Sequence, residues 1–204
     1  MNDNNTILAI ETSSNICGIS LIENGTLIDS VDEDKSKQHA EVLPQLYKKL
    51  QSRTNFSLSN IDALAVSIGP GSFTGLRIGL SFTKGLAFSK NLPIIPISTM
   101  MALAYNARKF LPAFGIIHSH AKRVFYQRIR WVNKVPYSGG DIKVAEWNKL
   151  LDEIGQTENI FQLNCENLDK SNGFISTSLS SSSIGILANI NFKELVIDQP
   201  YDLV

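Results

Sequence analysis

The segment Gly69-Pro70-Gly71-Ser72-Phe73-Thr74-Gly75 constrains this chain more than any other feature. It follows directly on the apolar run at residues 61–68, which is short and continuous enough to be a strand buried on both faces. Glycine and proline then impose a turn, and the apolar sequence after it reads as a helix over residues 76–89. A buried strand, a glycine turn and a helix in succession place the chain among α/β folds.

The preceding residues fill in the order. Ile7-Leu8-Ala9-Ile10 is a second apolar run, and residues 17–22 form a third, rich in β-formers. Asn24-Gly25 supplies the positive φ angles of a tight hairpin, and residues 26–31 return as its other strand. Val42, Leu43, Leu46, Tyr47 and Leu50 recur at helical steps, which predicts a helix over 41–51. Pro44 places its start near Glu41, or else demands a kink. Residues 93–97 read as a strand, and Ser98 or Thr99 caps a third helix reaching about residue 110.

The sum is β-β-β-α-β-α-β-α, one ribonuclease-H-like unit, the half that actin-like and sugar-kinase-like (ASKHA) folds duplicate. Residues 1–112 are therefore expected to form an N-terminal lobe. Residues 113–204 read as a smaller, reduced copy. It has strands at 114–117, 124–132, 161–163 and 173–175, helices at 147–154 and 184–190, and a serine-rich loop at 176–183. No repeat has a solenoid period.

Composition excludes several classes. The 204 residues carry 19 Lys and Arg against 19 Asp and Glu, so phosphate contacts alone do not account for the chain. No apolar run approaches the roughly 18 residues that span a bilayer. The polar start lacks the basic and apolar regions of a secretory signal. Cys17 and Cys165 stand far apart without metal-like spacing, as in a reduced cytoplasmic protein.

Several chemistries can be weighed on residue type and spacing. A glycine loop before a helix can hold an anion on its backbone N–H groups, or can simply be a tight turn. A Walker A loop needs a Lys followed by Ser or Thr, which this loop lacks. A dinucleotide fingerprint needs glycine where Thr74 stands. Glu11-Thr12-Ser13 ends the first strand. There Glu11 would hold a metal or water, and Thr12, Ser13, Gly69 and Gly71 a vestigial phosphate site; the alternative is a turn whose hydroxyls satisfy local backbone. His39-Ala40-Glu41 hints at a zinc hydrolase, but Leu43 occupies the place of the second histidine. His118 and His120 have no evident third ligand. Arg128, Arg130 and Lys134 make a short basic stripe, RNA-facing or merely solvated. No metal or cofactor is expected.

The helix after the loop is apolar all round. Gly75 and Gly79 share a line with Ser72 and Thr83, and small residues at that spacing admit a close neighbour. Together with the first helix it is expected to form a docking surface for another protein.

These residues resemble the bacterial TsaB (YeaZ) family in three motifs. They are Ile7-Leu-Ala-Ile-Glu-Thr-Ser13, His39-Ala-Glu-Val-Leu-Pro44 and Gly69-Pro-Gly-Ser-Phe-Thr-Gly-Leu-Arg-Ile-Gly79. Lys84-Gly-Leu-Ala87 and Pro96-Ile-Ser-Thr99 fit as well, so the resemblance covers about the first half. It implies an actin-like, two-lobed fold and a part in making threonylcarbamoyladenosine next to the anticodon of tRNA. It also implies a non-catalytic scaffold that docks the enzyme TsaD through helices 41–51 and 76–89, or forms a homodimer in its absence. TsaE would join the assembled complex, and tRNA would be met only through it. The implied interface residues are His39, Val42, Leu46, Ser72, Phe73, Gly75, Leu76, Gly79 and Thr83. Two departures stand out. His118-Ser-His-Ala-Lys-Arg-Val-Phe-Tyr126 lacks the family's Asp-Ala-Arg motif, and Pro200-Tyr201-Asp-Leu-Val204 replaces a longer ending. The competing reading is an actin-like nucleotide-binding ATPase or a degenerate glycoprotease-like metallopeptidase.

Overall fold

The computed structural model describes residues 5–154, 159–168 and 173–192; the chain ending at 200–204 lies outside them. Strands β1 (Thr6–Glu11), β2 (Ile16–Glu23) and β3 (Thr26–Asp34) form the expected meander. The turn between β2 and β3 holds Asn24 and Gly25 at φ 52 and 76. Helix α1 (His39–Thr54) leads through a 3-10 turn to β4 (Ala63–Ser67), followed by α2 (Phe73–Lys90), β5 (Ile94–Ile97) and α3 (Thr99–Asn106). The first sheet has the order β3-β2-β1-β4-β5, with β1, β4 and β5 parallel. Side chains alternate across it. Leu8, Ile10, Leu64 and Val66 face Leu43, Leu46 and Leu50 of α1 together with Ile78 and Phe82 of α2.

Two helices start earlier than their sequence suggests. Helix α1 takes Pro44 into its second turn, where the N–H that proline lacks would have met the carbonyl of the exposed Ala40. Helix α2 begins at Phe73 because the Ser72 side chain accepts from Gly75 N at 3.2 Å and caps it there. Asn55 and Asn91, both left-handed, end the two helices.

The second sheet is built from β6 (Phe114–His120), β7 (Arg123–Val132), β8 (Val135–Ser138), β9 (Lys143–Glu146), β10 (Ile160–Leu163) and β11 (Ile175–Ser176). Its order is β11-β10-β6-β7-β8, with β9 also on β7. An antiparallel pair beside parallel strands repeats the first sheet in abbreviated form. Helix α4 (Trp147–Ile154) lies where periodicity predicts it, its Trp147 and Leu150 buried against Ile116 and Val124. Strands β8 and β9 have no counterpart in the sequence expectation. Asn133 and Lys134 turn the β7–β8 hairpin at φ 50 and 63 without the glycine that usually marks such a turn.

The chain forms two compact units, Met1–Thr99 with the segment beginning at Leu179, and Met100–Ser178. They differ from the expected division at 112/113. Helix α5 (Ser181–Ile190) packs on the first sheet, where Gly185 lies against Ala9 and Ile22. Met100 of α3 lies beside Gly115 and Phe161 of the second sheet. The serine run is only partly loop, because the Ser180 hydroxyl accepts from Ser183 N and starts α5.

Candidate functional site

Strand β1 ends at the glycine loop. Ser72 N donates to the Ser13 carbonyl at 2.7 Å, and Gly69 N donates to Thr99 Oγ1 at 3.1 Å. Thr99 Oγ1 in turn donates to Ser13 Oγ at 3.0 Å, and Ser13 Oγ to Glu11 Oε1 at 2.6 Å. Thr12 Oγ1 donates to the Gly75 carbonyl at 2.8 Å. Of the candidate phosphate ligands, Ser13 thus binds Glu11, while Thr12 and Gly69 are taken up by Gly75 and Thr99. A Cβ added at Gly71 would strike the Ser13 carbonyl, and one at Gly75 the Thr12 carbonyl. The loop's glycines serve this close approach of two backbone segments.

Glu11 is fully buried, and desolvation pushes its carboxyl up to about 7 against the lowering effect of Ser13. The nearby Ser67 hydroxyl lowers it as well, although neither Ser67 Oγ nor Glu11 Oε2 meets full hydrogen-bond geometry with a described residue. This carboxyl ends a chain of hydrogen bonds running from Gly69 N through the Thr99 and Ser13 hydroxyls.

Helix α2 corrects the interface expectation. Gly75, Gly79 and Thr83 are buried, and Gly79 lies against the Thr12 side chain. Thr83 Oγ1 donates back to the Gly79 carbonyl at 2.8 Å. The small-residue line thus admits the end of β1, not a partner. On α1, His39, Val42 and Leu46 are likewise buried, with His39 Nε2 3.2 Å from the Ile16 carbonyl. Of the nine expected interface residues, Ser72 and Phe73 are exposed and Leu76 is partly so.

The outward face consists largely of residues that sequence reasoning did not single out. Phe73 is 67% exposed and Phe88 72%, with Arg77, Ser81 and Gly85 exposed between them. The Arg77 guanidinium lies 3.8 Å from the Phe73 ring centroid, which fixes both side chains on the surface. A signal for this face was present. A helix apolar all round must leave apolar groups on whichever side its own sheet does not cover.

The remaining candidates are not brought together. His118 Nε2 lies 3.0 Å from the Ala121 carbonyl, and His120 Nδ1 3.1 Å from Ser119 Oγ. Among the described residues no three His, Cys, Asp or Glu side chains could hold a metal ion. Cys17 and Cys165 are free and buried, and desolvation pushes both thiols up to about 12.

With this geometry in hand, comparison with known proteins is informative. A family model described as TsaD: tRNA N6-adenosine threonylcarbamoyltransferase matches residues 29–135. The tRNA threonylcarbamoyladenosine biosynthesis protein TsaB of Haemophilus influenzae is 31% identical over 154 residues, 74% of this chain and 63% of that protein. The chain therefore spans less than two thirds of that relative's length. The TsaB protein of Buchnera aphidicola subsp. Schizaphis graminum is 34% identical over 72% of each chain. Among solved structures, YeaZ from Pseudomonas aeruginosa superposes with a TM-score of 0.83 at 20% identity, over 98% of both chains. The activator of 2-hydroxyisocaproyl-CoA dehydratase from Clostridium difficile superposes with a TM-score of 0.56 at 9% identity, over 93% of this chain and 96% of that one. These likenesses show the fold, which is the actin-like α/β class expected from the element order.

Proposed function

The chain belongs to the TsaB (YeaZ) family of tRNA threonylcarbamoyladenosine biosynthesis proteins, and from that premise we propose that it is a non-catalytic partner subunit in making that modification. Its work is to dock and activate a TsaD protein, with TsaE joining the assembled pair and tRNA modified by the complex. A second copy of the chain takes the same surface when TsaD is absent, and the assembly works in the cytoplasm. No helix among the described residues is long and apolar enough to cross a membrane.

The outward face of α2 is the observation that carries this reading. Two phenylalanines one helix-length apart, with an arginine stacked on the first, form an anchor pattern of the kind that dominates binding energy at interfaces. The engagement of Thr12, Ser13 and the glycine loop with one another supports a structural role for those residues.

Light scattering on a sizing column, with the chain alone and mixed with the TsaD protein of the same genome, tests the proposal. A mixed species that excludes the homodimer is expected. Independent elution at micromolar concentration, with and without nucleotide, would remove the scaffold reading and redirect attention to intrinsic activity.

A further inference from the structure

Between Asp62 and Asp141 the chain contains no acidic residue but ten Lys and Arg. Zero net charge conceals this segregation. Seven of those cations fall after Met100, and the second sheet places two of them, Arg128 and Arg130, on one face, where Lys143 joins them.

The arrangement follows from register. Along β7, side chains at 126, 128 and 130 point to the same face. Tyr126 is opposite Lys143 of β9, and Arg130 is opposite Tyr137 of β8. Residues directly opposite in an antiparallel pair share a face, so two tyrosines and three cations lie together. Arg128, Arg130, Tyr137 and Lys143 are exposed. The Arg128 guanidinium sits 4.5 Å from the Phe114 ring centroid. Between β8 and β9, the chain at Gly139 runs so close to Arg128 that a Cβ there would stand 2.9 Å from the Arg128 carbonyl oxygen. A depression of about 280 Å³ results, lined by Phe114, Tyr126, Arg128, Gly139 and Lys143 among others, with Asp141 as its acidic member. Glu146 is opposite Arg123 and therefore on the reverse face.

We propose that this face of β7, β8 and β9 binds single-stranded RNA, with a base seated in the depression and neighbouring phosphates on Arg130 and Lys143. Cations interleaved with aromatic rings on a sheet are what unpaired nucleotides require. The rings and guanidinium planes stack bases, and the charges meet phosphates; Arg130 is held for this by its Nε, which donates to the Ser138 carbonyl at 3.0 Å. The choice of RNA over other polyanions rests on the tRNA-modification reading above.

Fluorescence anisotropy of the full chain with a labelled oligouridylate of about twelve nucleotides tests the proposal, read between about 50 and about 200 mM salt. Binding is expected to weaken steeply with salt. The triple variant R128Q/R130Q/K143Q should lose at least about tenfold in affinity and lower the salt slope by about 1.4, at roughly 0.7 for each of the two phosphate contacts. The double variant R130Q/K143Q leaves the Arg128–Phe114 contact intact and should lose a smaller share, which guards against a folding artefact. Tyr137→Ala should weaken binding and Tyr137→Phe restore it, as stacking requires. Absence of binding at low salt overturns the proposal, as does binding that the double and triple variants leave unchanged or that inorganic phosphate alone fully displaces. Because the chain is tested without a partner, each of these failures leaves the docking result standing.

Discussion

Thr12 Oγ1 donates a 2.8 Å hydrogen bond to the carbonyl of Gly75, joining the end of β1 to the first turn of α2 across 63 residues of sequence. One turn further on, Gly79 presents its bare backbone to the same threonine side chain. The two glycines allow the helix to lie against the strand end, and that contact sets which face of α2 is left outside.

Gly79→Ala should therefore destabilise the protein although alanine is the better helix former. The added Cβ collides with Thr12 Oγ1. Overpacking of this kind costs about 1–3 kcal/mol, which outweighs a propensity gain of up to about 1 kcal/mol. Gly85 is exposed in the same helix with nothing within 4 Å, and Gly85→Ala should stabilise by about 0.5–1 kcal/mol. Urea midpoints of the two variants measure both signs. Equal shifts would mean that Thr12 does not limit the approach.

Glu11 makes stability depend on pH. Its folded-state pKa of about 7 exceeds the ordinary value of 4.5, so between those limits the folded chain binds more protons than the unfolded one. Stability should fall as pH rises through that window, by about 3 kcal/mol if the whole shift is expressed. In Glu11→Gln this loss should vanish. Denaturant titrations at intervals from pH 5 to pH 8 decide the point, and an unchanged slope in the variant would assign the effect to other groups.

Phe73→Asp and Phe88→Asp separate the outward face from the fold. Both side chains are largely exposed, so each change should cost less than about 1 kcal/mol, including the loss of the Arg77 stacking contact at Phe73. Association with TsaD, followed by calorimetry, should weaken at least about tenfold. Retained affinity in both would move the interface elsewhere.

Cys17 and Cys165 should resist thiol reagents in the folded protein. The reactive species is the thiolate, and burial holds both thiols near 12. Ellman titration at pH 8 is expected to find both groups only after unfolding. Prompt reaction of either in the native protein would contradict its burial.

Much of the first unit was legible because its signals are local. The runs at residues 7–10 and 17–22, the Asn24-Gly25 turn and the helical spacing of Val42 to Leu50 depend on near neighbours in the chain. The edge strands β8 and β9 escaped notice because they are short and largely exposed, and because their turn lacks glycine. The partition at 112/113 missed the exchange of α3 and α5 between units, since an apolar helix such as α5 carries no mark of which sheet it covers. Gly75, Gly79 and Thr83 were assigned to an interface for a spacing that looks the same whether the neighbour is another protein or the chain's own strand.

The sequence by itself determined the kinds and order of the elements from β1 to α3, the Asn24-Gly25 turn and the family, because periodicity, backbone freedom and motif all act over a few residues. Only the tertiary structure decided which side of α2 is inside and which cations share a face of the second sheet. Both outcomes rest on contacts between residues far apart in the chain, such as Thr12 with Gly75, which no local preference can specify.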